Sequence, residues 1–178
     1  MDCWAAFVAD LAAACCAFLV VLRLAPTVHG PGDYGFIPFL ISTARRTGLS
    51  AYIGEGANRW PAVHRQDAGV LYLLAIEKAP AGSTLHGVGE SAIPFQTIGQ
   101  LVGRMLNIPT VSVPVEKAVE HFQNPFFARA FAVDSPASSA WTRELLGWIR
   151  FIRHSSKIWR REITSLLEPS SAFDRPGH

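Results

Sequence analysis

The sequence has little cysteine, and all of it lies near the start. Its three cysteines are Cys3, Cys15 and Cys16, and no cluster of cysteine and histidine elsewhere has the spacing of a zinc site. We therefore expect no structural metal. Adjacent Cys15 and Cys16 in an alanine-rich run are typical of small buried side chains in a reducing compartment, which predicts a cytoplasmic protein.

Charge is also scarce. Only 17% of the 178 residues are charged and the formal net charge is +2, whereas 49% are apolar. Nucleic-acid binding by the whole molecule is not expected, because it requires a concentrated basic face. So many apolar residues imply that part of the surface is covered by a partner or that a portion of the fold is missing.

The length of the chain predicts one α/β domain over residues 1–168, and the polar residues 169–178 are expected to be a disordered tail.

An uninterrupted membrane span is lacking as well. Residues 4–22 have the length of a span, but Asp10 interrupts them at a cost of about 3 kcal/mol on insertion scales. No basic residue precedes the run, so a signal peptide is not favoured either. The pattern instead indicates a helix over residues 3–16 and a strand over residues 18–24, because continuous apolar runs are typical of buried parallel strands.

Strand and helix signals alternate along the rest of the chain. Turn-forming residues predict a loop over 25–35, and helices are expected over 36–47, 67–79 and 94–106. Strands are expected over 50–54, 84–88 and 109–113, followed by helices broken at Pro114, Pro125 and Pro136. This alternation predicts an α/β fold with parallel strands, in which Asp67 caps a helix.

One glycine motif matches the dinucleotide-binding fingerprint by letter alone. Gly30, Gly32 and Gly35 follow the pattern G-x-G-x-x-G between a strand and a helix. However, residues 25–29 separate the strand from the first glycine, and Pro31 removes a backbone donor that a phosphate would need. We interpret the motif as a substrate-side loop with tight turns.

Several weak motifs occur in an order that carries more information than any one of them. Arg23, Pro26 and Gly30 form an R-x-x-P-x-x-x-G pattern after a strand, residues 58–68 read NRWPAVHRQDA, and residues 145–148 read LLGW. This order resembles the second half of the extended NAD(P)-dependent short-chain dehydrogenases/reductases of the epimerase/dehydratase type. The resemblance implies the C-terminal portion of a Rossmann-like, doubly wound, mainly parallel sheet with a helical substrate-binding part. The N-terminal βαβ unit of that fold would be missing.

The resemblance also assigns candidate site residues. Those expected near the nicotinamide ring of NAD or NADP are Pro26, Thr27 and Val28. Those expected to line a pocket for a small-molecule substrate are His29, Phe36, Arg59, Trp60 and His64. An arginine can hold a phosphate or carboxylate through two hydrogen bonds, and aromatic side chains supply an apolar wall. Two alternatives stay open at this point, that His64 is a structural histidine and that Trp60 belongs to the core.

The catalytic pair of this family is not found. Its members use a tyrosine and a lysine four residues later, because the lysine lowers the tyrosine pKa. The residues four positions after Tyr34, Tyr52 and Tyr72 are Pro38, Gly56 and Ile76. We therefore expect no catalytic residue here. The prediction is a truncated or remnant oxidoreductase or epimerase that is inactive alone and binds its cofactor weakly or not at all.

A rival hypothesis is a non-catalytic interaction module. The run from residue 143 to residue 161 would form a basic amphipathic helix. Its basic side would carry Arg150, Arg153, Lys157, Arg160 and Arg161, and its apolar side would carry Ile149, Ile152, Trp159 and Ile163. A solvated charged face is the commoner outcome for such a helix, so neither lipid nor nucleic acid is favoured. An exposed sheet edge would be the other binding surface, and self-association is expected if the sheet is incomplete.

Overall fold

The computed structural model describes residues 19–30 and 32–151, which form an α/β arrangement. The predicted helix over 3–16, most of the basic helix and the predicted tail lie outside the described residues. The strands are β1 (Val21–Leu24), β2 (Thr27–His29), β3 (Ser50–Ile53), β4 (Arg59–His64), β5 (Thr84–Gly87), β6 (Glu90–Pro94) and β7 (Thr110–Val113). The helices are α1 (Phe36–Thr47), α2 (Arg65–Lys78), α3 (Phe95–Leu106), α4 (Ala118–Phe122), α5 (Pro125–Ala132) and α6 (Ala140–Leu146), and one 3₁₀ turn covers Val115–Lys117.

The described strands form three small sheets. β1 pairs with β5, β3 pairs with β7, and β4 lies between β2 and β6. All of these pairings are parallel except that of β4 with β6. A register shift between Trp60 and Ala62 interrupts the antiparallel pairing at Pro61, which has no N–H to donate.

Two of the three long helices, α1 and α3, follow the spacing of their apolar residues. α1 ends at Gly48, whose φ of 71° lies in the left-handed region that glycine adopts without a steric penalty. α3 buries Phe95, Ile98, Leu101 and Val102, as the sequence predicts. The expected helices and strands from residue 36 to residue 113 are confirmed to within two residues at each end. Within the described residues, no helix is long and apolar enough to cross a membrane.

The apolar side chains divide into two cores. The first core lies among α1, α3, α4, α5 and the β3–β7 sheet, and its buried aromatic members include Trp60, Phe95, Phe122 and Phe131. The second core lies between α2 and the β1–β5 sheet and includes Leu71, Leu85 and Trp148. Trp148 is 1% exposed, and its indole N–H donates to the carbonyl oxygen of Asp67 at 3.0 Å. The Leu-Gly-Trp segment therefore fixes the end of the described chain against α2.

Three expectations about local structure are wrong. The predicted loop over 25–35 contains β2, because its short extended segment pairs with β4, which was also not predicted. Asp67 does not cap α2: His64 precedes the helix and accepts from the N–H of Gln66, while the buried Asp67 carboxylate accepts from the N–H of Phe151 at 2.9 Å. Within the described residues, the helix predicted from 143 to 161 is helical only to Leu146, because Gly147 adopts a φ of 65°.

Candidate functional site

The pairing of β2 with β4 brings most of the predicted site residues together. In this parallel register Thr27 lies opposite Ala62 and His29 lies opposite His64. The carboxyl ends of adjacent parallel strands meet at the same sheet edge, where binding sites of α/β proteins commonly form. Residues separated by more than thirty positions in the sequence thus become neighbours.

Thr27 and Trp60 are joined by a buried hydrogen bond. The Trp60 indole Nε1–H donates to the Thr27 hydroxyl oxygen at 2.7 Å, and both side chains are almost completely buried. A buried indole N–H requires a partner, since leaving it unpaired would cost about 1–3 kcal/mol. Trp60 is therefore part of the first core, and its polar edge fixes the position of Thr27.

His29 and His64 form an edge-to-face pair. Their ring centroids are 5.4 Å apart with an interplanar angle of 74°. Both are buried, and Nδ1 of His64 accepts from the Gln66 backbone N–H, which leaves Nε2 to carry the proton in the neutral ring. His64 thus has a structural role at the start of α2, in agreement with the structural alternative.

Phe36 extends the aromatic wall from the first turn of α1. Its ring lies 5.3 Å from Trp60 and 6.0 Å from Phe131, in both cases edge to face. Phe126, which is 64% exposed, packs on the other side of Phe36 at 6.0 Å. The wall therefore runs from the buried Trp60 outward to an aromatic side chain in contact with solvent.

Arg59 lies at the exposed start of β4 and is held by Asp134. Its Nε and Nη2 donate to the two Asp134 oxygens at 3.0 and 2.7 Å, and its backbone N–H donates to Oδ1 at 2.6 Å. These bonds lower the pKa of Asp134 to about 2 and raise the pKa of Arg59. Both side chains are about half exposed, so the pair is accessible to a competing anion.

The neighbouring Asn58 secures the same segment. Its side-chain amide donates to the carbonyl oxygens of Phe131 and Val133 at 3.0 and 3.2 Å, and the Ser135 N–H donates to the Arg59 carbonyl oxygen at 3.0 Å. Asn58 and Asp134 are the residues that the sequence did not reveal as part of this region. No spacing signal relates positions 75 residues apart, so only the folded chain shows their connection.

The nicotinamide candidates lie in three different environments. Pro26 is exposed, Thr27 is buried under Trp60, and Val28 is half-buried against the second core. Pro26 is therefore the most accessible of the three candidates for contact with a nicotinamide ring.

The Gly30 loop does not fit a pyrophosphate. The Asp33 carboxylate accepts from the Gly35 N–H at 2.7 Å, so a negative charge already occupies the amino end of α1. The Arg65 side chain also fills the space over Gly30, where an added Cβ would lie 2.9 Å from its methylene carbons. The loop packs onto the protein itself, in agreement with its interpretation as a set of tight turns.

Comparisons of sequence identify relatives without a stated activity. No protein-family model matches the chain. An uncharacterized protein of Schizosaccharomyces pombe is 52% identical over 128 residues, and one of Saccharomyces cerevisiae is 44% identical over 129 residues. The match covers 72% of this chain in both cases but only 43% and 42% of the two relatives. The matched region thus spans about two fifths of the length of these relatives.

Comparisons of structure define the fold. A dTDP-glucose 4,6-dehydratase from Streptomyces venezuelae with NAD bound matches 93% of this chain and 47% of its own, with a TM-score of 0.67 and 16% identity. The protein RMD from Pseudomonas aeruginosa complexed with NADPH matches 92% of this chain and 51% of its own, with a TM-score of 0.61 and 15% identity. The chain therefore has an α/β fold that is similar to about half of each of these two structures and to Rossmann-like folds in general.

Proposed function

We propose that this chain forms the substrate-side part of an NAD(P)-linked oxidoreductase or epimerase that acts on a nucleotide sugar, and that this part alone does not catalyse the reaction. The observation that carries the proposal is the likeness to a dTDP-glucose 4,6-dehydratase, which covers 93% of this chain but 47% of the dehydratase. The match is to about half of a cofactor-binding enzyme. The order of the sequence motifs, which resembles the second half of such enzymes, supports the same proposal.

The proposed roles follow from the geometry of the β2–β4 edge. Pro26 contacts the nicotinamide ring, and the cofactor supplies hydride transfer when it is bound. Thr27 and Val28 support that contact from the buried side, because Trp60 fixes the Thr27 hydroxyl and Val28 packs toward the second core. Phe36 forms the wall of the substrate pocket and is backed by the buried Trp60, while the buried His29 lies behind the same edge and is oriented by His64 through their ring contact.

Arg59 is the proposed anion-binding residue. Its planar guanidinium already holds a carboxylate through two parallel hydrogen bonds, which is also the geometry that binds a phosphate. The phosphate of a nucleotide sugar would replace Asp134 as its partner. The half-exposed Asp134 would then move into solvent, where a carboxylate is well hydrated.

The test measures binding of UDP-glucose to the wild type and to three variants by calorimetry. Arg59→Gln should weaken binding by at least about tenfold, because it removes a charge-assisted double hydrogen bond. Asp134→Asn should strengthen binding, because the internal competitor loses its charge. Arg129→Gln, which removes an exposed charge on α5, is the matched control and should bind like the wild type.

Cofactor binding is measured in the same series. Thermal stabilisation by NAD or NADP that increases when UDP-glucose is present would support a shared site. Equal UDP-glucose affinity in the wild type and in Arg59→Gln would refute the proposed substrate site. Turnover of the nucleotide sugar by this chain alone would refute the proposed lack of catalysis.

A second candidate function, an interaction module, is favoured by the outer face of α2. Tyr72, Leu73 and Ile76 are exposed there although the opposite face packs Leu71 and Ala75 into the second core. A helix with apolar residues all round is typical of a buried position, so this face suits self-association or a protein partner. Salt-sensitive retention on heparin without any cofactor effect would instead indicate an electrostatic module.

A further inference from the structure

A cleft lies at the far end of α1 from the β2–β4 edge. Its volume is about 340 Å³, and its walls are the last turn of α1, strand β7 and the segment from the 3₁₀ turn through α4. The side chains that matter for its chemistry are Arg46, Ser112, Lys117, Glu120 and His121. This volume is within the range of small-molecule sites, roughly 300–1,000 Å³.

The cleft is separate from the proposed substrate site. Phe36 begins α1 and Arg46 is ten residues further along the same helix, which places them about 15 Å apart along its axis. None of the cleft residues belongs to the β2–β4 edge. A ligand in the cleft would therefore not contact Trp60 or His29.

His121 supplies a buried polar atom that no group satisfies. Its Nε2 is inaccessible to solvent and has no hydrogen-bond partner among the described residues. Burial, and secondarily the charge of Arg46, lowers the pKa of His121. His121 lines the cleft, so its ring reports on whatever binds there.

The charges around the cleft favour an anion. Arg46 donates to the His121 carbonyl oxygen at 3.4 Å, which holds its guanidinium against α4. Lys117 makes no ion pair with any residue that the structure describes. Glu120 is the one carboxylate among the lining residues, so the cleft has a surplus of positive charge. The last carbonyls of α1 offset part of the Arg46 charge, which leaves Lys117 as the principal attraction.

We propose that this cleft binds a small metabolite bearing an oxyanion, either a phosphoryl or a carboxylate group, between Lys117 and Arg46 and beside the His121 ring. Ammonium and guanidinium groups around a single oxyanion are the usual means of binding such ligands. The ligand holds α4 against the end of α1, so its binding stabilises the folded chain.

The test uses pyrophosphate and malonate as probes at constant ionic strength, with binding followed by NMR of the histidine side chains. We expect the His121 ring resonances to shift in a saturable way with the probe that carries the preferred group. Lys117→Gln and Arg46→Gln should each weaken binding by at least about tenfold. Lys78→Gln removes the same charge from the exposed end of α2 and should bind like the wild type.

The outcomes distinguish this cleft from the Arg59 site. Loss of the His121 shift in Lys117→Gln with retention in Arg59→Gln supports the cleft. The proposal is overturned if the His121 shift is lost in Arg59→Gln alone. It is also overturned if Lys117→Gln binds the probes as tightly as the wild type does. A Kd above about 10 mM for both probes, which corresponds to nonspecific screening, overturns it as well. Circular dichroism of each variant separates lost binding from lost folding.

Discussion

Two side-chain pairs at the candidate site differ in burial, and burial decides what each contributes. Thr27 and Trp60 form a neutral hydrogen bond inside the first core, whereas Arg59 and Asp134 form a charged pair that solvent reaches. A buried donor that loses its acceptor cannot turn to water, so the first pair is important for stability. An exposed ion pair contributes little to stability and is easily exchanged, which suits a binding residue.

Thr27→Val tests the buried pair. Valine has nearly the same shape as threonine but leaves the Trp60 indole N–H without an acceptor. We expect the free energy of unfolding to fall by about 1–3 kcal/mol, measured by urea denaturation. Thr27→Ser keeps the hydroxyl and is the control. Its free energy of unfolding should fall by less than that of Thr27→Val. Equal stability of Thr27→Val and the wild type would show that the indole finds another partner.

Asp134→Asn tests the exposed pair through its pH dependence. The folded pKa of Asp134 is lowered to about 2 from the usual 3.8. A group with a lowered folded pKa stabilises the fold above its unfolded pKa, and this stabilisation is lost as the pH falls toward the folded pKa. The difference in Tm between the wild type and Asp134→Asn should therefore narrow from pH 4 to pH 2.

Glu77→Gln is the reference for this comparison, since Glu77 is an exposed carboxylate on α2 without an ion pair among the described residues. Its Tm difference from the wild type should stay nearly constant over the same range. If the Tm difference between Asp134→Asn and the wild type is also constant over this range, the ion pair between Arg59 and Asp134 is not formed in solution.

At the scale of elements, the turn from β3 to β4 requires glycine at two positions for different reasons. Gly54 and Gly56 have φ angles of 57° and 65°, in the left-handed region. Nothing lies within 4 Å of a Cβ added at Gly54. A Cβ at Gly56 would lie 2.7 Å from the Gln96 Cβ and 3.0 Å from its Cα, because α3 begins against this turn.

Alanine at these two glycines separates conformation from packing. Gly54→Ala should lower the free energy of unfolding by about 1–2 kcal/mol, the cost of the left-handed backbone alone. Gly56→Ala should lower the free energy of unfolding by about 1–3 kcal/mol more than Gly54→Ala does, because the start of α3 must shift. Denaturant unfolding of both variants measures the difference. Equal losses would indicate that α3 moves without cost and that only the backbone angle matters.

Most elements were predictable from the sequence because their cause is local. The apolar spacing of α1 and α3 and the stop at Gly48 give their bounds directly. β2 could not be predicted, since its three residues are extended only because β4 pairs with them. The same holds for Asp67, whose carboxylate accepts from the backbone N–H of Phe151, 84 residues further along the chain.

The candidate site was predictable in part for the same reason. Thr27, His29, Phe36, Trp60 and His64 were chosen by resemblance, and the fold brings all five to the β2–β4 edge. Whether they bind a substrate stays a prediction. The Asp134 partner of Arg59 and the cleft at His121 depend on contacts between α4, α5 and distant strands, so no sequence pattern indicates them.

At the scale of the whole molecule, apolar surface remains after both cores are formed. On α2, Leu73 is 61% exposed and Ile76 is 82% exposed, although both are aliphatic and lie one turn apart on the same face. Isolated exposed apolar residues are ordinary, but a contiguous apolar helix face usually contacts another surface. We expect the purified chain to self-associate through this face of α2.

The double variant Leu73→Lys/Ile76→Glu tests that expectation. It should shift the chain toward monomer in light scattering over a concentration series without loss of helix content, because neither side chain belongs to the second core. Val115→Lys/Val119→Glu is the matched control, as it changes two exposed apolar residues near α4 and should leave association unchanged. If the wild type is monomeric throughout the series, the face does not drive association. If both double variants are monomeric, self-association depends on the total exposed apolar surface and not on the outer face of α2.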